Sequence, residues 1–215
     1  MEFWLADANL DRVAVSMSSG IFAGVITNPA VVADTGLPPN DLFAELCKTS
    51  PCCWYQLKHG PAEAMLKEAE TMIAINPQRM RIKVPATRPG LQVIKQLQQQ
   101  GQTVMATCVP TAAWMLLACA AGADYIAPYG GMLQKRAIHS KLSEVTNMQR
   151  ILDRQQLDTK ICAGLYAATE IEDFAATGVQ AGFIWGKDVD TFLDQPLVEE
   201  AAAGFKNDWQ TIDRY

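Results

Sequence analysis

Along the chain, short apolar runs alternate with longer stretches in which apolar residues recur at three- and four-residue spacing. The short runs lie at 2–6, 23–27, 53–57, 81–85, 103–107, 125–128, 160–164 and 182–186, and most are continuous rather than alternating in polarity. That is the pattern of parallel strands covered on both faces. The stretches between them, at 10–17, 41–48, 62–75, 89–99, 111–121, 142–157 and 170–176, read as amphipathic helices, and a further helix is predicted over 196–210. Asp41, with Pro38 and Pro39 ahead of it, marks a helix N-terminus, and Gly90 sits where its helix begins. Gly101 and Gly178 fall where a left-handed residue closes a helix.

Eight strand signals interleaved with helices predict an α/β protein, a closed (β/α)8 TIM barrel with an extra C-terminal helix. An open doubly wound sheet is the alternative, but no strand is followed by G-x-G-x-x-G, and the pair Gly130–Gly131 stands alone. No linker, repeat or low-complexity tract divides the 215 residues, so one domain is expected.

Composition adds mainly exclusions. With 49% apolar and 19% charged residues and a net charge of −5, the chain reads as a soluble globular protein. Its basic residues are scattered, so neither nucleic acid nor an anionic membrane is an expected partner. The first seven residues, from Met1 to Asp7, lack a basic segment and meet acid early, which points to a cytoplasmic protein without a signal peptide. No apolar run approaches the 18 residues or so of a membrane span. The six cysteines include the adjacent Cys52 and Cys53 but no C-x-x-C, so reduced, mostly buried thiols are expected. His59 and His139 lie far apart without ligand-like neighbours, and no metal is expected.

In a (β/α)8 barrel the chemistry collects at the C-terminal ends of the strands. Polar residues there are few: Asp7, Thr27, Asn28, Gln56, Lys83, Thr107, Tyr129 and the pair Lys187–Asp188. Lys83 is the most informative, because alternate residues of its strand face the barrel interior. Burial disfavours an ammonium group and lowers its pKa, leaving a neutral amine that can attack a carbonyl. The alternative is a lysine whose stem lies along the barrel while its head reaches solvent. Gln56, Thr107 and Tyr129 are uncharged groups suited to holding a water, with Tyr129 as an acid–base end. Asn28, between Thr27 and Pro29, is a donor for a substrate hydroxyl. The plainer readings are an Asx turn at Thr27-Asn28-Pro29 and a solvated mouth tyrosine at 129.

Taken together, these segments resemble one family. Gly24-Val25-Ile26-Thr27-Asn28-Pro29 looks like the G-V-T-T-N-P signature of the small-subunit transaldolase/fructose-6-phosphate aldolase group. Ile82-Lys83-Val84-Pro85-Ala86-Thr87 resembles its Schiff-base lysine motif, and Ala127-Pro128-Tyr129 its A-P-Y tyrosine. Phe205-Lys206-Asn207-Asp208-Trp209 is similar to its F-x-x-D-W ending. The resemblance implies a class I aldolase that needs no cofactor beyond an imine on Lys83, a water held by Gln56, Thr107 and Tyr129, and Asn28 near donor hydroxyls. It also implies a homo-oligomer, a pentamer or decamer, whose C-terminal helix packs on a neighbouring subunit through Trp209.

The departures are as specific. Where the family has an aspartate at the end of the first strand, this chain has Ala6, with Asp7 one residue later. The offset turns a strand residue to the other face, but Asp7 still reaches the mouth if the strand ends early, and with Asn28 and Thr27 it is a substrate-binding candidate. Ile26 replaces a threonine. Met132 and Leu165 stand where the family carries a phosphate-site arginine and serine, and Ala167 where a nearby basic residue is frequent. Methionine cannot supply the paired hydrogen bonds of an arginine. Lys135, Arg136 and the backbone amides of Gly130 and Gly131 are the candidates for a rebuilt phosphate or acceptor site. Three readings follow: an aldolase joining a small hydroxyketone such as dihydroxyacetone or hydroxyacetone to an unphosphorylated aldehyde; a sugar-phosphate transaldolase or aldolase with that rebuilt site; and a non-catalytic carbonyl-binding barrel.

Overall fold

The computed structural model describes residues 1–131 and 140–212. Its strands are β1 (Glu2–Ala6), β2 (Phe22–Ile26), β3 (Cys53–Gln56), β4 (Met80–Pro85), β5 (Val104–Val109), β6 (Tyr125–Pro128), β7 (Lys160–Leu165) and β8 (Ala181–Trp185). They pair in parallel in sequence order, and β8 closes onto β1. The helices described are α1 (Leu10–Ser18), α2 (Pro29–Ala33), α3 (Pro39–Thr49), α4 (Ala62–Ile75), α5 (Arg88–Gln99), α6 (Ala112–Ala121), α7 (Lys141–Gln155), α8 (Thr169–Ala176), α9 (Val189–Leu193) and α10 (Pro196–Ile212). The expected (β/α)8 barrel with a C-terminal helix is the fold observed.

Strand alternation sorts the buried residues into two layers. Leu5, Val25, Ile82, Val84, Ile161, Leu165 and Ile184 point outward and pack with Val13, Leu42, Met65, Val93, Met115, Met148 and Phe174 of the helices. Trp4, Ala6, Ile26, Trp54, Met105, Ala127, Cys162 and Ala181 form a second cluster inside the barrel. Its lower end is filled by aromatic rings meeting edge to face, Trp4 with Trp54 at 5.8 Å and Trp54 with Tyr125 at 5.4 Å. Beneath them the Tyr125 hydroxyl donates to Glu2, which also pairs with Lys160.

Two helices differ from expectation in informative ways. α3 begins at Pro39, two residues before the predicted start, because proline's fixed φ suits a first helical turn. α2 was not anticipated: five residues are too few to show a period, and the turn exists because Asn28 Oδ1 accepts from the amides of Ala30 and Val31. Gly101 and Gly178 do follow their helices with φ of 77° and 86°. Gly90 is required by close approach, since a Cβ there would lie 1.9 Å from the Pro85 carbonyl oxygen. That contact seats the start of α5 against the end of β4, the strand that carries Lys83.

α10 continues to Ile212 and contains no buried residue, leaving Leu197, Val198, Phe205, Trp209 and Ile212 exposed. Among the described residues, no helix is long and apolar enough to cross a membrane.

Candidate active site

Lys83 lies on the inward face of β4, in register with Gln56 of β3 and Met105 of β5. Registered neighbours on adjacent strands are about 4.8 Å apart, so Gln56 stands beside Lys83, and Thr107 projects from one inward step further along β5. The side chain does not escape to solvent: Lys83 is 7% exposed, and its amine donates to the carbonyl oxygen of Thr27 at 3.2 Å. Burial lowers its pKa from 10.5 to about 8. A substantial fraction of the amine is therefore neutral near physiological pH.

A cavity of about 860 Å³ opens over Lys83 at the C-terminal ends of the strands. Asn28, Gln56, Thr107, Tyr129, Gly130 and Gly131 line it together with Lys83. Among the described residues the side chains of Gln56, Thr107 and Tyr129 have no hydrogen-bond partner, so their polar atoms remain available to a ligand. Asn28 uses its Oδ1 to cap α2, which leaves its amide nitrogen as the donor on the cavity side. At the bend of β5, Cys108 has φ of 60°, the register shifts between Ala106 and Val109, and the residue is exposed on the same cavity.

Other sequence candidates are elsewhere. Thr27 is buried and its hydroxyl donates to Trp54; it meets Lys83 through its backbone oxygen, and its side chain does not line the cavity. Asp7 is also buried, but on the helix side. Its carboxylate accepts from Arg12 at 2.7 and 3.0 Å and from the amides of Ala8 and Asn9. Burial pushes the Asp7 pKa up, but these donors outweigh it and hold the carboxyl below the usual range. The one-residue offset from Ala6 is the reason: Ala6 joins the barrel interior and Asp7 faces outward. Leu165 likewise packs in the outer layer, away from the cavity. Met132, Lys135, Arg136 and His139 lie outside the described residues.

The far wall of the cavity was not read from the sequence. It consists of Lys141, Tyr166, Glu170, Phe183 and Trp185. Strand parity was the available signal for Phe183 and Trp185, which alternate with outward-facing Ile184 on β8. Lys141 and Glu170 gave no such signal, because charged residues in the first turn of a helix are ordinarily solvated. Here they form an ion pair at 2.6 Å.

Among the described residues no cluster of three or more His, Cys, Asp or Glu is placed to hold a metal, and all six cysteines are free.

Comparison with known proteins bears on the family and the fold. Residues 59–181 match the transaldolase/fructose-6-phosphate aldolase family. The chain is 30% identical over 213 residues to a probable transaldolase of Oceanobacillus iheyensis, covering 98% of this chain and 99% of that one. It is 30% identical over 217 residues to probable transaldolase 2 of Bacillus anthracis, covering 97% of each. Among solved structures it resembles inosine 5′-monophosphate dehydrogenase from Legionella pneumophila with a TM-score of 0.64 and 17% identity. That match covers 86% of this chain and 58% of the other and is a likeness of fold alone. With a family match over more than half its length and relatives of this identity end to end, the chain belongs to the transaldolase/fructose-6-phosphate aldolase family, the transaldolase-type aldolases.

Proposed function

We propose that the protein is a class I aldolase in which Lys83 forms an imine with a small hydroxyketone donor of the dihydroxyacetone or hydroxyacetone type. The observation that carries this reading is the buried Lys83 amine at the end of β4, bonded only to a neutral carbonyl and opening on a cavity with Gln56, Thr107 and Tyr129. In the proposed cycle the neutral amine adds to the ketone carbon to give a carbinolamine, which loses water to become an iminium ion. A proton then leaves the adjacent hydroxyl-bearing carbon, passing through a water held by Gln56 and Thr107 toward Tyr129, and an enamine forms. The enamine carbon bonds to the aldehyde carbon, the aldehyde oxygen takes a proton, and water releases the product and regenerates the amine. Asn28 donates to the donor's hydroxyl. No cofactor is needed, because the iminium nitrogen is itself the electron sink.

On this reading the acceptor carries no phosphate. Leu165 faces the outer layer, so the β7 position that serves phosphate elsewhere in the family supplies no side chain to the cavity. The relatives' names favour a second reading, transfer between sugar phosphates. The enzyme acts on soluble metabolites in the cytoplasm as a homo-oligomer, a pentamer or decamer. The apolar face of α10 would then cover a neighbouring barrel, where Leu116 and Leu117 of α6 are exposed.

The test is to incubate the enzyme with hydroxyacetone, dihydroxyacetone and a panel of aldehydes, reduce with borohydride, and sequence the modified peptide by mass spectrometry. A ketone adduct on Lys83 that is absent from Lys83→Met is expected. No adduct across the panel would leave a non-catalytic barrel, and an adduct on Lys141 would move the chemistry to the other wall.

A further inference from the structure

The β7–β8 wall of the cavity has features that imine chemistry at Lys83 does not use. Lys141 is buried, and its ammonium is already surrounded. It lies 2.6 Å from the Glu170 carboxylate, 3.1 Å from the Gly164 carbonyl and 4.2 Å above the centre of the Tyr166 ring. Glu170 is fixed in turn by the Tyr166 amide at 2.7 Å. From the opposite side the backbone at Gly130 presses on Lys141, where a Cβ would lie 2.6 Å from its Cγ. A phosphate arriving here would have to displace Glu170 from Lys141 or sit beside its negative charge.

The neighbouring surface is aromatic. Phe183 meets Trp185 edge to face at 5.5 Å, and Trp185 lies 6.3 Å from Tyr166 at a tilt of 38°. Gly164 makes room for this wall, since a Cβ there would come within 2.8 Å of the Phe183 ring. The indole N–H of Trp185 is buried, with the Tyr166 side chain as its neighbour.

We infer that this wall is an acceptor subsite for uncharged aromatic aldehydes, with Tyr166, Phe183 and Trp185 as the platform and the Lys141–Glu170 pair as the element that turns phosphate away. The inference rests on the Lys83 imine reading. β4 and β8 lie on opposite sides of the eight-strand ring, so an aldehyde attacked by an enamine on Lys83 directs its tail toward these rings. A planar tail gains stacking contacts there.

The experiment holds hydroxyacetone as donor and compares kcat/KM for phenylacetaldehyde and glyceraldehyde 3-phosphate, reading their ratio, which a merely less stable variant does not move. Wild type should favour phenylacetaldehyde by about tenfold or more, and Trp185→Ala should lower the ratio by about tenfold. Glu170→Gln, which frees the Lys141 charge but keeps an acceptor for the Tyr166 amide, should raise kcat/KM for the phosphorylated aldehyde by about tenfold. A wild-type preference for glyceraldehyde 3-phosphate, or an unchanged ratio in Trp185→Ala, overturns the inference. Borohydride trapping of hydroxyacetone is run on the same preparations. If no adduct forms, the imine reading has failed, and 2-phenylethanol is titrated into Lys83→Met by saturation-transfer NMR. Saturable binding lost in Trp185→Ala then supports the aromatic subsite, and no binding overturns it.

Discussion

Lys83 and Lys141 face one another across a single cavity and are held in opposite ways. Lys83 donates to the uncharged Thr27 carbonyl and has no carboxylate partner among the described residues, whereas Lys141 is 2.6 Å from Glu170. Burial lowers the pKa of both amines; the Glu170 carboxylate draws Lys141 back up, whereas at Lys83 only the neighbouring thiols of Cys162 and Cys108 do so. An amine without a counter-ion gives up its proton more readily, which suits Lys83 to the proposed nucleophilic role and Lys141 to a structural one.

The pH dependence of trapping follows. With the Lys83 pKa at about 8, the initial rate of borohydride-trapped imine formation should rise with pH to half its plateau near pH 8. A midpoint close to 10.5, the ordinary lysine value, would mean that burial does not govern the amine.

Lys83→Met should also be more stable than wild type at neutral pH. The unfolded chain binds a proton on Lys83 up to about 10.5 and the folded one only up to about 8, so wild-type stability rises with pH between those values. The variant's advantage should be roughly 3 kcal/mol below pH 8 and shrink toward pH 10.5. Urea denaturation at pH 7 and pH 10.5 measures it, and an advantage that did not shrink would point to packing instead.

Tyr129→Phe removes the acid–base end of the proposed relay while leaving the amine in place. Turnover with hydroxyacetone and an aldehyde should fall by roughly 10²–10⁴-fold. Slow trapping at Lys83 should persist. A variant with near wild-type turnover would assign the proton transfers to another group.

Asp7→Asn should act on stability. Its carboxyl pKa is depressed in the folded protein, so its contribution is present above about pH 3.8 and is lost as pH falls through the lower folded value. A loss of about 1–3 kcal/mol at pH 7, vanishing in acid, is expected from removing a charged partner of Arg12 and of two amides. Unchanged stability at pH 7 would contradict it.

The barrel was legible because its evidence is periodic: eight short apolar runs, most of them continuous, point to parallel strands covered on both faces. Parity made Lys83 a candidate for the interior but left open whether its head reaches solvent, and it left Asp7 a substrate-binding candidate that the structure turns to the helix side. Site residues on strands, such as Gln56 and Thr107, were legible for the same reason. The wall built by Lys141, Tyr166 and Glu170 was not. These residues come from the starts of two helices and a loop, and only the closed ring brings them together. The short α2 was hidden as well, since it is held by one cap rather than by an apolar face.

The packed rings of Trp4, Trp54 and Tyr125, with the Glu2–Lys160 pair below them, make the barrel a cul-de-sac. Among the described residues, what reaches Lys83 comes and goes through the mouth, including, in the proposed cycle, the water expelled when an imine forms and the water needed to undo it. A second molecule lodged in that mouth therefore also acts as a stopper. Traffic order becomes a property of the architecture: what binds deepest arrives first and departs last.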